Sequence, residues 1–399
     1  MVTGSVGKTS TKDAVAAALA SRFYLRKSEK SYNSEVGVPL TILGAKNAWN
    51  NPLAWFGVFK QGLGTLMLPS HYPKLLVLEV GADHPGDLEK ILKIATPDAV
   101  VVTRLPDVPV HVEAYTSPEE VREEEFAPAY ALPIGAPLII SSDNAYAPEM
   151  AARLPVRVLS YGSQKDSDVQ IETPELHYEQ NLPAGMRANV SVAGKDYVLE
   201  VPGVIGRPQV YAPAAALTAA IALGVPPGEA LKGLTAYEPP PGRARLLEGK
   251  NESMLIDDSY NASPAAVEEA LLSLTLVTTA TRKIAVLGDM LELGRYSVSE
   301  HERIGILAAK HADMLVGVGE RTRALIASAI TAGFPEAKTR SFATSLEAAS
   351  ALQELVQPGD VVLVKGSQSI RTERIVRGLL ANEEDSKYLV RQDAEWQKR

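Results

Sequence analysis

The seven residues Gly4-Ser5-Val6-Gly7-Lys8-Thr9-Ser10 restrict the fold more than any other part of the chain. Glycines in such a loop let backbone N–H groups curl around phosphate oxygens, a lysine adds a point charge, and the next hydroxyl can hold Mg²⁺. The loop needs a strand leading in and a helix leading out, so that the helix N-terminus faces the phosphates. The segment Lys12 to Ala20 reads as that helix, while only Met1-Val2-Thr3 precede the loop. Because the full pattern asks for a further small residue upstream, a Gly-rich turn without a ligand is the competing reading.

The remaining sequence reads as an α/β protein. Short apolar runs occur at Lys74 to Gly81, Pro97 to Thr103 and Pro137 to Ile140, and again at Lys283 to Gly288, Met314 to Val318 and Asp360 to Val364. Continuous apolar runs separated by helical stretches suit parallel strands buried on both faces. The first series is expected to form a central P-loop NTPase-like parallel-sheet domain over residues 1–238. The second is expected to form a Rossmann-like C-terminal domain over residues 239–399, with the nucleotide in the cleft between them. The boundary falls at Pro239-Pro240-Pro241, which cannot continue a helix and stiffens an extended connector. Residues of about 156–203 alternate apolar and polar, as in Ala188-Asn189-Val190-Ser191-Val192, and are expected to form antiparallel hairpins. The Ala-rich stretch Ala214 to Ala222 is expected to be a helix packed closely on a sheet, and the tail after Asn382 to fray.

Composition excludes several function classes. There is no cysteine among the 399 residues, hence no disulfide framework and no thiolate metal site. The net charge of −8, with no Lys/Arg-rich run, argues against nucleic acid or an anionic membrane as the main partner. No apolar run approaches the roughly 20 residues of a membrane span, and no signal core follows the N-terminus. A cytoplasmic protein, acting as a monomer on small molecules, is expected.

The phosphate loop resembles that of the Mur ligase family, and further motifs follow in the order found in its MurF branch. Tyr32-Asn33-Ser34-Glu35-Val36-Gly37-Val38-Pro39-Leu40 is similar to the motif after the first helix. Leu78 to Gly86 resembles the strand end that carries a Mg²⁺-binding glutamate, here Glu79, and His111-Val112-Glu113 resembles the metal-side histidine segment. Asp257 to Pro264, Leu287 to Gly294 and Lys365-Gly366-Ser367 extend the resemblance to about Leu380. It implies an ATP-dependent amide ligase that transfers the γ-phosphoryl group to a carboxylate, giving an acyl phosphate that an amine attacks. The amine would be a D-Ala-D-Ala-type dipeptide, the acid a UDP-muramoyl peptide, and the cofactors ATP and Mg²⁺. Positioning and cations dominate such chemistry. By the same resemblance Gly4, Ser5, Val6, Gly7, Lys8, Thr9 and Ser10 would bind nucleotide together with Arg243, Asp258, Tyr260 and Asn261. Thr9, Glu79 and His111 would hold the metal, Asn33 would meet substrate, and Lys8, Glu79, His111 and Glu125 would be catalytic.

Each residue has a plainer competing reading. Glu79 could end a strand in a surface salt bridge, and His111 could be an ordinary loop histidine. Asp257 and Asp258 could cap a helix beginning between Asn261 and Pro264. Tyr260 could be a core aromatic, and Arg243 a solvated loop arginine. The sequence also departs from the family in three places. The family carries an N-terminal domain for the UDP end of the substrate, whereas this chain begins at the phosphate loop: either the start is misassigned or truncated, or that domain is supplied elsewhere or not needed. The family's carbamylated lysine, fourteen residues after the histidine, is replaced by Glu125 in Arg122-Glu123-Glu124-Glu125-Phe126, for which a solvated acidic helix face is the alternative. The family's His-Asn-x-x-Asn element appears as Pro208-Gln209-Val210-Tyr211-Ala212, without the second asparagine. A degenerate homologue that binds nucleotide or a partner without ligase activity, or an amide ligase for a non-UDP carboxylate, are the alternative functions.

Overall fold

The computed structural model describes residues 1–29, 32–49, 51–67, 71–392 and 396. The first large sheet has eight strands, ordered in space Val2–Thr3, Val100–Val102, Pro137–Ser141, Arg157–Gly162, Val169–Ile171, Leu182–Val192 and Lys195–Pro202, with Glu175–Glu179 paired to Leu182–Val192. The first five pair in parallel and the rest antiparallel. Burial explains the contrast in sequence: Val100–Val102 is buried at every position, whereas Leu182–Val192 mostly alternates between core and surface. The antiparallel part begins later than residue 156, because Arg157–Gly162 continues the parallel series. Alternation along a strand reports its burial, not the direction of its neighbour.

The apolar run Lys74 to Gly81 is divided between two ladders. Leu75–Val77 pairs with Leu25–Lys27 in a separate two-stranded parallel sheet. Beyond it, Val2 donates to Leu78 O at 2.8 Å and accepts from Val80 N at 3.0 Å, which brings Glu79 beside the strand that enters the phosphate loop.

The second large sheet is ordered Arg245–Gly249, Ser253–Asp258, Asp360–Lys365, Arg282–Gly288, Met314–Val318 and Thr339–Phe342. All neighbours are parallel except the first pair. Pro239-Pro240-Pro241 lies between the residues of the two sheets. Asp258 and Lys365 end adjacent strands in register, at the carboxyl edge where open α/β sheets bind ligands. The Ala-rich helix Arg207–Ala222 packs on the phosphate-loop helix Lys8–Leu19 and on Arg157–Gly162, its short side chains allowing close approach. Buried Val210 and Ala214 of that helix share one apolar cluster with Leu271 and Leu274 of the helix Pro264–Leu276, so the core is continuous between the sheets.

The loop is held tightly where it leaves its strand. Gly4 has φ +108°, and a Cβ there would lie 2.4 Å from Thr103 Oγ1 and 3.1 Å from Thr103 N. Thr103 cannot yield freely, because both its N–H and its hydroxyl donate to Thr3 O at 2.9 Å. Gly4→Ala is therefore expected to destabilise the fold by about 1–3 kcal/mol through backbone strain alone. Thermal denaturation without nucleotide measures this, and an unchanged midpoint would show that the loop relaxes freely.

Candidate active site

The helix after the loop begins at Lys8, four residues earlier than its apolar pattern suggests, because Gly7 at φ +93° turns the chain directly into it. Lys8, Thr9 and Lys12 thus occupy its first two turns. The Lys8 ammonium folds back to Gly4 O at 2.5 Å and lies against Gly81, where a Cβ would sit 3.6 Å from Lys8 Nζ and 2.9 Å from Asn33 Nδ2. Gly81 leaves room for Lys8 and Asn33 to converge.

Glu79 is 2 % exposed, so it is not the surface ion pair that its strand-end position allowed. Its Oε1 accepts from Thr9 Oγ1 at 3.1 Å, and its Oε2 lies 3.6 Å from Lys12 Nζ but has no hydrogen-bond partner. Lys12 is itself buried. His111 stands elsewhere, with Nδ1 3.1 Å from Glu292 and Nε2 3.5 Å from Asp83. Among the described residues no group of three or more His, Asp or Glu gathers as a ready-made metal cage.

Glu125 is not on a solvated face; it is 2 % exposed on the inner side of the helix Pro118–Tyr130. Its carboxylate accepts a hydrogen bond from the Ser5 hydroxyl in the phosphate loop, and its backbone oxygen accepts from Thr3 Oγ1 at 2.6 Å. Burial pushes the Glu125 carboxyl above the usual range, against the opposing pull of the Lys8 charge and the Ser5 hydrogen bond.

Across from the loop, Lys365 Nζ donates to Asp258 at 2.7 Å and to Asn261 O at 3.0 Å. Burial lowers the Lys365 pKa while Asp258 holds the charge in place. Tyr260 lies under the Arg243 guanidinium at 4.0 Å, with Arg391 at 5.9 Å. Neither aspartate caps the following helix: Ser263 does, accepting from Ala266 N at 3.3 Å. Asp257 instead turns inward, accepting from Ser259 N at 3.1 Å and Ser259 Oγ at 2.5 Å.

These two groups face each other across a cleft of about 460 Å³, lined by Gly7 and Ser10 on one side and Arg243, Asp258 and Lys365 on the other. The altered positions Pro208, Gln209 and Ala212 line it as well. Three polar residues given no functional role by the sequence stand at or beside this cleft, Lys12 behind it and Arg104 and Asn144 in its lining. Lys12 lies one helical turn after Lys8, a spacing that could have revealed it. Arg104, on the loop after Val100–Val102, pairs with Glu269 across the cleft at 2.6 Å. Asn144 has a buried, unpaired Nδ2, and Gln209 a buried, unpaired Oε1, in the same cleft. No motif announces Arg104 or Asn144.

A phosphate loop closed by a second α/β unit, with cations and carboxylates on both walls, defines a two-lobed nucleotide-binding protein. The chain belongs to the Mur ligase family: the Mur ligase middle domain matches residues 2–55 and 60–220, and the Mur ligase, glutamate ligase domain matches residues 242–368. It is 30 % identical over 384 residues to the UDP-N-acetylmuramoyl-tripeptide–D-alanyl-D-alanine ligase of Synechocystis, covering 95 % of this chain and 74 % of that one. The enzyme of the same name from Bacillus subtilis is 26 % identical over 380 residues, covering 95 % and 75 %. In fold, the chain matches the MurF ligase of Thermotoga maritima solved in complex with ADP, with a TM-score of 0.76 at 24 % identity over 96 % of this chain and 79 % of that one.

Asp257 gives the C-terminal wall a measurable pH signature. Burial pushes its carboxyl up to about 6, the Ser259 hydrogen bonds opposing and Asp258 and Glu373 adding to the rise. The folded state therefore binds this proton more tightly than the unfolded chain, whose value is about 4. The stability contributed is present below pH 4 and is lost as pH rises from about 4 to 6, by about 3 kcal/mol. Thermal midpoints across that window should fall for the wild type relative to Asp257→Asn, which cannot titrate. Parallel curves for the two proteins would contradict this.

Proposed function

We propose that the chain is an ATP-dependent, ADP-forming amide ligase that joins a D-alanyl-D-alanine-type dipeptide to a UDP-muramoyl peptide, the reaction for which its Synechocystis and Bacillus subtilis relatives are named. The supporting observation is the cleft, with the phosphate loop on one wall and the strand-end pair Asp258–Lys365 on the other. Gly4 to Ser10 would wrap the phosphates, Lys8 leaving Gly4 O for the β- and γ-phosphates. Arg243, stacked on Tyr260, would reach them from the opposite wall, with Asp258 and Asn261 beside the nucleotide. The spare donor on Asn144 and spare acceptor on Gln209 complement the edge of adenine, which offers one acceptor beside one amino group. They offset the contact that Ala212 lacks.

The free buried oxygen of Glu79, next to the Thr9 hydroxyl, suits a hard cation that keeps several waters. Thr9 and Glu79 would hold Mg²⁺, which when bound would neutralise charge on the phosphate oxygens. His111, held between Asp83 and Glu292, would orient the metal side of the cleft from its edge. Asn33, converging with Lys8 at Gly81, would position the acyl substrate. The carboxylate attacks the γ-phosphorus and ADP leaves; the dipeptide amine then attacks the acyl phosphate carbon, loses its proton and expels inorganic phosphate. An enzyme that consumes ATP in this way would act in the cytoplasm.

Phosphate release should require both the acyl substrate and the dipeptide, and Lys8→Ala should abolish it, since no neighbour can replace that charge at the phosphates. Unchanged ATP consumption in Lys8→Ala would remove the assignment of the loop. A protein that binds ATP but releases no phosphate with both substrates present would instead be a nucleotide-binding homologue.

Glu125 would serve as a fixed anion where relatives use a carbamylated lysine. No lysine lies between Lys93 and Lys165, so this segment cannot form a carbamate. Removing bicarbonate should leave the rate unchanged. Glu125→Gln, which keeps shape and loses charge, should raise the Mg²⁺ requirement and slow acyl-phosphate formation. Wild-type kinetics in that variant at limiting Mg²⁺ would exclude the role.

A further inference from the structure

The helix Pro52–Met67 directs its apolar side away from the protein. Its inner face is anchored by buried Val58 and Gly62, and by Gln61 Nε2, which donates to Leu43 O at 3.0 Å and Gly44 O at 3.1 Å. The opposite face carries Leu53, Phe56, Phe59, Leu63, Leu66 and Met67, each between 58 % and 85 % exposed. Their spacing of three or four residues makes one continuous stripe. Trp49, 61 % exposed, stands just before the helix. An ordinary surface helix is oriented the other way, and a contiguous exposed apolar stripe marks an interaction face.

Charge identifies the occupant. From Glu35 to Glu79 the chain has no acidic residue between those two, although the whole protein carries a net charge of −8. The same stretch contains Lys46, Lys60 and Lys74, all exposed, with Lys60 within the helix itself. An apolar stripe with Lys60 in its own helix, in a stretch of chain that carries lysines and no acidic residue, complements an anionic lipid surface, whereas two copies meeting through it would bring like charges together. At 16 residues the helix is too short to span a bilayer, and among the described residues no helix is long and apolar enough to do so. It suits a position in the plane of the interface, with lysine stems extending along the apolar layer. The net charge of the whole chain, which argued against an anionic membrane, conceals this local concentration.

We propose that the helix Pro52–Met67 docks the protein on anionic bilayers, sinking the Phe56–Phe59 face into the headgroup–acyl boundary while Lys46, Lys60 and Lys74 meet lipid phosphates. This is independent of the ligase reading. The test is flotation of the full chain with vesicles of phosphatidylglycerol and phosphatidylcholine, compared with phosphatidylcholine alone. Binding is expected only to the anionic vesicles, accompanied by a blue shift of tryptophan emission, and is expected to weaken in about 0.5 M salt. Phe56→Ser with Phe59→Ser, and separately Lys46→Glu with Lys60→Glu, should each lower the bound fraction by roughly tenfold or more. Both pairs lie on the exposed surface, so thermal midpoints should match the wild type. Absence of flotation with anionic vesicles, or flotation unaffected by either double variant, would overturn the proposal. So would a concentration-dependent dimer that the Phe56→Ser, Phe59→Ser variant dissolves, because a second copy would then cover the face.

Discussion

Glu79 places a carboxyl group where water is largely excluded, beside the Lys12 ammonium, and much of the architecture follows from that. An ion taken out of water costs several kcal/mol unless an opposite charge and hydrogen bonds replace the lost hydration. Lys12 provides the charge at 3.6 Å and Thr9 one hydrogen bond at 3.1 Å, both from the first turns of a single helix. The same carboxylate belongs to the segment that bridges Val2. One cluster therefore fixes the strand entering the phosphate loop relative to the helix leaving it. Compensation is deliberately incomplete: one oxygen is left without a hydrogen bond, in a protein that satisfies most of its other buried polar groups.

The two lobes are joined by contacts of unequal strength. The shared core through Val210 and Leu271 is apolar and fully buried. Other contacts between the lobes are polar: Arg104 with Glu269 in the cleft, and, outside its lining, His111 with Glu292 and Arg295 Nη2 donating to Thr116 O at 3.1 Å. Arg104 is 40 % exposed, and an ion pair of that kind contributes at most about 1 kcal/mol. Contacts of this kind hold the lobes together far less firmly than the apolar core does.

Much of this was legible from residue types and order. The loop Gly4 to Ser10, the alternating apolar runs and the placement of Glu79 at a strand end all depend on local chemistry, which a linear reading captures. The burial of Glu125 was less accessible, since Glu123, Glu124 and Glu125 look alike in sequence and only helix packing separates them. The Glu125 side chain reaches the Ser5 hydroxyl because the backbone comes close, as the Thr3 hydrogen bond to Glu125 O shows. Pairing between residues far apart was not legible at all: Arg104 and Glu269 are joined only by the fold. The division of Lys74 to Gly81 between two ladders was hidden for the same reason, because apolar character reports burial and not partnership. The orientation of Pro52–Met67 was also missed, since its stripe reads like that of any core-facing helix until the core is found on the other side.

That orientation has an evolutionary corollary. Side chains as exposed in the folded state as in the unfolded chain add almost nothing to folding free energy, so selection for stability does not act on them. Leu53, Phe56, Phe59, Leu66 and Met67, 72–85 % exposed, could change to polar residues at little cost to stability, and such change would lower the tendency to aggregate. Any retention of the stripe across generations would have to be enforced by a pressure other than folding.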